Sequence, residues 1–328
     1  MPSEQFLVTG AFGCIGSWVV KRLVEAGTPV TTYDLPGDPV RMRIVMEPEQ
    51  IGRVQFLEGD VTDAVAFERA VTDHGITHII HLAALQVPFV RASPVLGADV
   101  NVVGSAIVLE TAKRHRDQIK GLAYASSVAV YGPASDYPPG PLAHDAPFNP
   151  TTLYGVTKEA NERWAHIYWQ DYQVPSVGLR PFFVYGPGRD QGISSTPTKA
   201  MVAAAFGRPY RISFGGVALY QHADDVADVF IRAVRSMPAG SPVYNLGGSL
   251  APIEEIIAAI GLAVPEMAGQ ITFDPAPLFT PEGTDGAELD RWLGPIAWRS
   301  LPDGVRDTVT VVREAERRGQ FDIERAVN

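Results

Sequence analysis

The chain of 328 residues has a single cysteine, Cys14. That excludes an intrachain disulfide and any cysteine-rich zinc site, and no metal ligands stand out. Basic residues are outnumbered, 27 Lys and Arg against 37 Asp and Glu, for a net charge of −10. This argues against a nucleic-acid binder, which would show a basic face. No N-terminal signal pattern is visible, and no apolar run reads as long enough to span a bilayer. Internal repeats and low-complexity tracts are also missing. The expectation is a soluble, cytoplasmic protein with no nucleic-acid or membrane partner. The chain does have apolar residues, 46% against 20% charged. It is long enough for one large domain or two ordinary ones, with a sizeable core.

The most informative stretch is Thr9-Gly10-Ala11-Phe12-Gly13-Cys14-Ile15-Gly16. It follows a short apolar run, Phe6-Leu7-Val8, that reads as a buried strand. It precedes Ser17 to Ala26, where Val19, Val20, Leu23 and Val24 recur at helical spacing. A strand, three glycines and a helix can cradle a pyrophosphate. Glycine lets the backbone turn sharply and approach the phosphates, and the helix aims its free N–H groups at the negative charge. The spacing is G-x-x-G-x-x-G rather than the common dinucleotide G-x-G-x-x-G.

Strand and helix patterns then alternate. Pro29 to Tyr33, Val54 to Leu57, Thr77 to His81, Gly121 to Ala125 and Val177 to Arg180 read as further strands. Helical patterns lie between them, notably Ala66 to Val71 and Val100 to Arg114. This alternation predicts an α/β fold, a doubly wound parallel sheet of Rossmann type, with ligands beyond the carboxyl ends of the strands. Residues 132–150, with six prolines, read as a long loop before a helix over Thr151 to Tyr172. Beyond residue 180 the pattern becomes irregular and predicts a smaller interleaved C-terminal substrate domain. The division expected is 1–180 and 217–247 for the cofactor domain, and 181–216 and 248–328 for the substrate domain. Val226 to Val234 and Val243 to Leu246 are read as returning to the sheet.

Asp34 ends the second strand, 18 residues after Gly16. A carboxylate there accepts hydrogen bonds from the adenosine ribose and repels a 2′-phosphate, which favours NAD over NADP. Arg41 and Arg43 lie nearby but are opposed by it. Tyr154 and Lys158 are four apart on the predicted helix, so they share a face. An ammonium beside a phenol lowers its pKa and prepares it for proton transfer. Ser127 ends the fifth strand, where its hydroxyl can hold the same substrate oxygen. Cys14 is read as a small residue beside the cofactor.

In this order the motifs resemble the extended short-chain dehydrogenases, the NAD-dependent epimerase/dehydratase family. The carrying segments are T-G-A-F-G-C-I-G at 9–16, Asp34, G-D-V at 59–61, H-L-A-A at 81–84, N-V-V-G at 101–104, S-S-V-A-V-Y-G at 126–132, Y-G-V-T-K at 154–158, R-P-F-F-V-Y-G-P-G at 180–188 and, more faintly, H-A-D-D-V-A at 222–227. The resemblance implies a catalytic Ser127, Tyr154 and Lys158, with Lys158 also on the nicotinamide ribose. It implies a pyrophosphate on Gly10, Gly13 and Gly16, with Phe12, Cys14 and Ile15 in the same loop. Asp34 would take the adenosine ribose, and Asp60 with Val61 the adenine. Leu82, Ala83, Ala84, Asn101, Pro181 and Phe183 would line the cofactor further. It also implies a homodimer through the helix carrying Trp164, Tyr168 and Trp169.

The departures bear on the substrate. Relatives acting on nucleotide-diphosphate sugars commonly carry an asparagine where Phe183 stands and arginines near Ala218 and near Thr280-Pro281-Glu282. Each lost charge-assisted contact to a buried anion costs about 1.5–3 kcal/mol. Val128 and Ala129 replace the acidic pair of the 4,6-dehydratases. The expectation is an NAD-dependent oxidoreductase acting on a secondary hydroxyl of a small sugar, sugar acid or hydroxy acid. An NAD-retaining epimerase and a non-catalytic NAD sensor are the alternatives. Gln86, Ser127, Val128, Tyr154, Arg189, Lys199 and His222 are the candidate substrate contacts, with Arg189 or Lys199 placed to receive a carboxylate.

Overall fold

The structure, a computed structural model, describes residues 4–327. Its strands are β1 Phe6–Thr9, β2 Val30–Asp34, β3 Gln55–Glu58, β4 His78–His81, β5 Gly121–Ala125, β6 Val177–Arg180, β7 Phe183–Tyr185, β8 Tyr210–Ile212, β9 Val217–His222, β10 Val243–Asn245, β11 Ser249–Pro252 and β12 Ile271–Phe273. Seven of them form one sheet in the order β10-β6-β5-β4-β1-β2-β3, with every pairing parallel. Alternate side chains enter opposite layers, as a strand's period of two demands. Phe6, Val8, Ile80 and Ala123 pack with Val19, Leu23, Val226 and Phe230 on one face. Leu7, Ile79 and Leu122 pack with Phe67, Val71, Val108 and Leu109 on the other. The winding reverses between β1 and β4, which opens a crevice at their carboxyl ends.

Val226 to Val234 is not a strand. It lies within the helix Ala223–Arg235, and only Val243–Asn245 returns to the sheet. The β-branched run looks strand-like, but Val226, Val229, Phe230, Ala233 and Val234 are spaced for one helical face and are all buried. β9 pairs with β7 and β11 in a separate three-stranded sheet. That sheet anchors a second core of Phe183, Tyr185, Phe214, Tyr220, Ile256, Ile260, Val305 and Val309. The proline-rich 132–150 segment is mostly loop. It is pinned where Leu142 N donates to Gly283 O at 2.9 Å and Asp285 N to Leu142 O at 2.8 Å. The expectation about apolar runs needs correction. Pro94–Arg114 is one continuous helix of 21 residues whose most apolar 18-residue window has mean hydropathy 1.4, long and apolar enough to cross a bilayer by length and composition. Val108, Leu109 and Ala112 on this helix belong to the sheet's own core.

His81 ends β4 almost wholly enclosed. Ser105 Oγ donates to Asn101 O, so His81 Nε2–H donates to Ser105 Oγ at 3.1 Å, and Thr9 Oγ1 donates to Nδ1 at 2.7 Å. Burial, assisted by the Lys158 ammonium, pushes its pKa down to about 3 from an ordinary 6.5. The unfolded chain therefore takes up a proton between pH 6.5 and 3 that the folded chain refuses. This contribution to stability is complete above pH 6.5 and is lost as pH falls toward 3. Urea unfolding at pH 7 and pH 5 is expected to show the loss, with a shallower pH slope in His81→Gln. An unchanged slope in that variant counts against the assignment.

Candidate active site

The loop after β1 is built to approach a ligand with backbone alone. Gly10 has φ +64, and a Cβ there would meet Ala83 N at 2.6 Å. A Cβ on Gly16 would meet Gly10 O at 2.3 Å. Gly13 is the N-cap of the helix Cys14–Glu25 and supplies no side-chain cap. The first N–H groups of that helix are therefore left to an incoming anion. At the end of β2, Asp34 accepts from Phe12 N at 2.9 Å and Leu35 N at 3.1 Å. Arg41 is held by Asp190, at 2.6 Å, and by Phe12 O, while Arg43 pairs with Asp38. Neither nearby guanidinium is free for a 2′-phosphate. These features fit NAD. Burial pushes the Cys14 thiol up to about 11, so it stays protonated beside the loop.

A cavity of about 370 Å³ runs from Gly10, Gly13, Cys14, Ile15 and Gly16 past Leu82 and Ala84 to Ser127, Tyr154 and Lys158. Pro181 and Phe183 line it too, as do Gln86, Val128 and Arg189 among the substrate candidates. Thr152 caps the helix Leu153–Tyr172 by accepting from Gly155 N, which fixes Tyr154 and Lys158 one turn apart facing the sheet. Lys158 Nζ donates to Ala125 O at 2.8 Å and lies 5.6 Å from the Tyr154 ring centre. Burial brings the lysine down to about 8, opposed by the Glu162 carboxylate one turn further on. The Tyr154 phenol is pushed above its ordinary value by burial, opposed by a hydrogen bond with Ser127 and by the Arg189 guanidinium. Acidification by the lysine was the sequence expectation. Here burial raises the phenol instead, and the opposing influences are Ser127 and Arg189 rather than the lysine.

Other expected residues stand elsewhere. Asp34, Asp60 and Val61 lie along the ends of β2 and β3, outside the cavity lining. Asp60 accepts from Thr62 N at 2.9 Å, and Ala83 N donates to Thr9 Oγ1 at 3.2 Å. Phe12 packs beside Phe56. Asn101 is fully enclosed in a π-turn, Asp99–Val103, and does not line the cavity. Its amide clasps Leu85, accepting from N at 2.7 Å and donating to O at 3.0 Å. It also donates to Thr157 Oγ1, which donates to Tyr154 O. It therefore joins the loop after β4 to the Tyr154 helix. Lys199 sits on the helix Thr196–Ala205, away from the cavity. His222 is 1% exposed and packed by Trp18 and Tyr185, with Arg299 donating to it at 2.9 Å. It is a structural histidine that caps the helix Ala223–Arg235 by accepting from Asp224 N.

Sequence reasoning missed part of the wall. Thr151, Thr152, Ile193, Ser194, Leu278 and Phe279 line the cavity, and Phe279 is 86% exposed at its mouth. No motif marks them. It also missed the enclosed group behind the site, where Arg180 pairs in bidentate fashion with Glu162 and Ser126 donates to the same carboxylate. The i, i+4 spacing of Lys158 and Glu162 was the available signal.

A parallel Rossmann sheet, a glycine loop after its first strand and a cavity running from that loop past the strand ends are the frame of a nucleotide-binding enzyme. The family model described as "NAD dependent epimerase/dehydratase family" matches residues 6–247, and the chain belongs to that family. It is an NAD-dependent enzyme. It is similar to a UDP-glucose 4-epimerase of Mycolicibacterium smegmatis, 30% identical over 94% of this chain and 98% of that one. The structure of Thermus thermophilus UDP-glucose 4-epimerase in complex with NAD superposes with TM-score 0.77, 27% identical over 94% of this chain and 99% of that one. L-threonine dehydrogenase from Clostridium difficile shares the fold, with TM-score 0.81, 21% identical over 95% and 98% of the two chains.

Proposed function

We propose that the enzyme moves a hydride between NAD and a secondary hydroxyl of a small sugar, sugar acid or other hydroxy acid. The carrying observation is that Ser127, Tyr154 and Lys158 meet on one cavity continuous with the glycine loop. Bound NAD supplies the hydride acceptor. Tyr154 accepts the substrate hydroxyl proton, Ser127 holds the same oxygen, and Lys158 stabilises the charge and holds the nicotinamide ribose. A nucleotide diphosphate finds little here. Phe183 packs on Phe182, Phe214 and Tyr220, Ala218 is buried opposite Ala251, and Thr280 offers only a neutral hydroxyl. The epimerases among the similar proteins favour a second reading, in which the reduced cofactor returns its hydride to the other face.

The two readings differ in net product. Incubated with NAD and a panel of sugars, sugar acids and hydroxy acids, the enzyme is expected to accumulate NADH with at least one of them. Conversion of UDP-glucose to UDP-galactose without NADH accumulation establishes the epimerase instead. A sensor turns over nothing.

The same reading makes the active unit a homodimer. Leu153, Val156, Trp164 and Ile167 form an exposed apolar stripe on the Tyr154 helix, beside exposed Val95, Leu96 and Val103 on its packed neighbour. Such a contiguous face marks an association surface. Light scattering is expected to give twice the chain mass, and Val95→Asp with Trp164→Asp is expected to give a monomer. A monomeric wild-type protein refutes it.

A further inference from the structure

Two cations line the cavity, Lys158 and Arg189. Lys158 is committed to Ala125 O. Arg189 has no carboxylate partner among the described residues, because its neighbour Asp190 is taken by Arg41. Its Nη2 donates to Ser194 Oγ at 2.9 Å, while its Nε is closed off from solvent and unpartnered. Between them the backbone passes through Gly192 at φ +85. A Cβ there would sit 2.9 Å from Gln86 Oε1 and 3.5 Å from Arg189 Nη2. A guanidinium, a hydroxyl and an amide thus converge across one glycine, on a wall that carries no carboxylate. The guanidinium also acts electrostatically on the Tyr154 phenol, which places it within range of the reacting oxygen. An enclosed N–H donor without an acceptor is costly to leave unmade. A guanidinium fork matches a carboxylate with two parallel hydrogen bonds.

We propose that Arg189, with Ser194 and Gln86, forms a carboxylate subsite, and that the substrate is an acid whose carboxylate lies a few bonds from the hydroxyl presented to Tyr154. The placing of that hydroxyl rests on the function proposed above. Sugar acids and simple hydroxy acids share this chemistry.

Calorimetric titration of the NADH-loaded enzyme separates the cases, with galactonate measured against galactitol and 3-hydroxybutyrate against butane-1,3-diol. At least one acid is expected to bind tenfold or more tightly than its neutral partner, and which one does so names the source. Arg189→Leu is expected to remove the preference and leave NADH affinity unchanged, while Arg189→Lys keeps part of it. Equal binding of acid and alcohol by the wild type overturns the proposal. So does binding of neither acid, or a preference that survives Arg189→Leu. A fall in NADH affinity in Arg189→Leu overturns it too, since the guanidinium then serves the cofactor's pyrophosphate. These are binding readouts, so a failure to release NADH in turnover counts against the proposed reaction and not against the subsite.

Discussion

Tyr154→Phe is expected to lower kcat by about 10²–10⁴-fold, the range of a positioned general acid or base, with NAD affinity and fold intact. The ring lies on a well-capped helix, and Ser127 is the hydroxyl that acts on its phenol. Ser127 Oγ also accepts from Ala129 N at 3.1 Å. Removing one oxygen therefore leaves Ser127 partnered and opens no cavity. What goes is the only phenol lining the cavity beside the Lys158 ammonium, Tyr131 OH being bonded instead to Asn245 and Arg180. The loss is in the step, so kcat and kcat/KM fall together, as they do when a transition-state interaction is removed. Burial raises the phenol, so activity in the oxidative direction is expected to climb with pH until Lys158, at about 8 in the free protein, begins to lose its charge. Stopped-flow measurement of a single turnover checks both statements. A phenylalanine variant within tenfold of wild type removes Tyr154 from the chemistry.

The large sheet was legible because most of its strands are short apolar runs that alternate with helical patterns, β3 being the exposed exception. Asp34 announces itself as the last residue of such a run, and Ser127 stands two residues beyond another. The reading failed where a local pattern has two solutions. Val226 to Val234 is rich in β-branched residues, and only the spacing of its buried positions, with His222 as its cap, makes it a helix. It also failed where a side chain's direction depends on a local irregularity. The π-turn at Asp99–Val103 rotates Asn101 away from the cavity and onto Leu85. Nor does any local pattern foretell that Arg41 is spent on Asp190, 149 residues later. Leu278 and Phe279 reach the cavity from the far C-terminal part of the chain, where no motif ties them to it.

Arg180→Met is expected to destabilise the fold by about 3–5 kcal/mol, the cost of leaving one member of a buried ion pair alone. Arg180 and Glu162 are 4% and 5% exposed. Nε donates to Oε1 at 2.8 Å and Nη2 to Oε2 at 2.7 Å, while Nη1 donates to Tyr131 OH at 2.7 Å and to Asn245 Oδ1 at 3.1 Å. Without the guanidinium the carboxylate stays enclosed with only Ser126 to satisfy it. Replacing both partners by apolar residues of similar volume is often nearly neutral. Arg180→Met/Glu162→Met is therefore expected to recover most of the loss in urea unfolding. Activity is expected not to follow. Glu162 is the carboxylate that opposes the burial of Lys158, so without it the ammonium loses its proton at lower pH. The double variant is expected to be stable yet to lose activity at a lower pH than wild type. Equal destabilisation in the single and double variants shows that packing, not charge, is what Arg180 contributes. An unshifted alkaline limb shows that Glu162 leaves the lysine untouched.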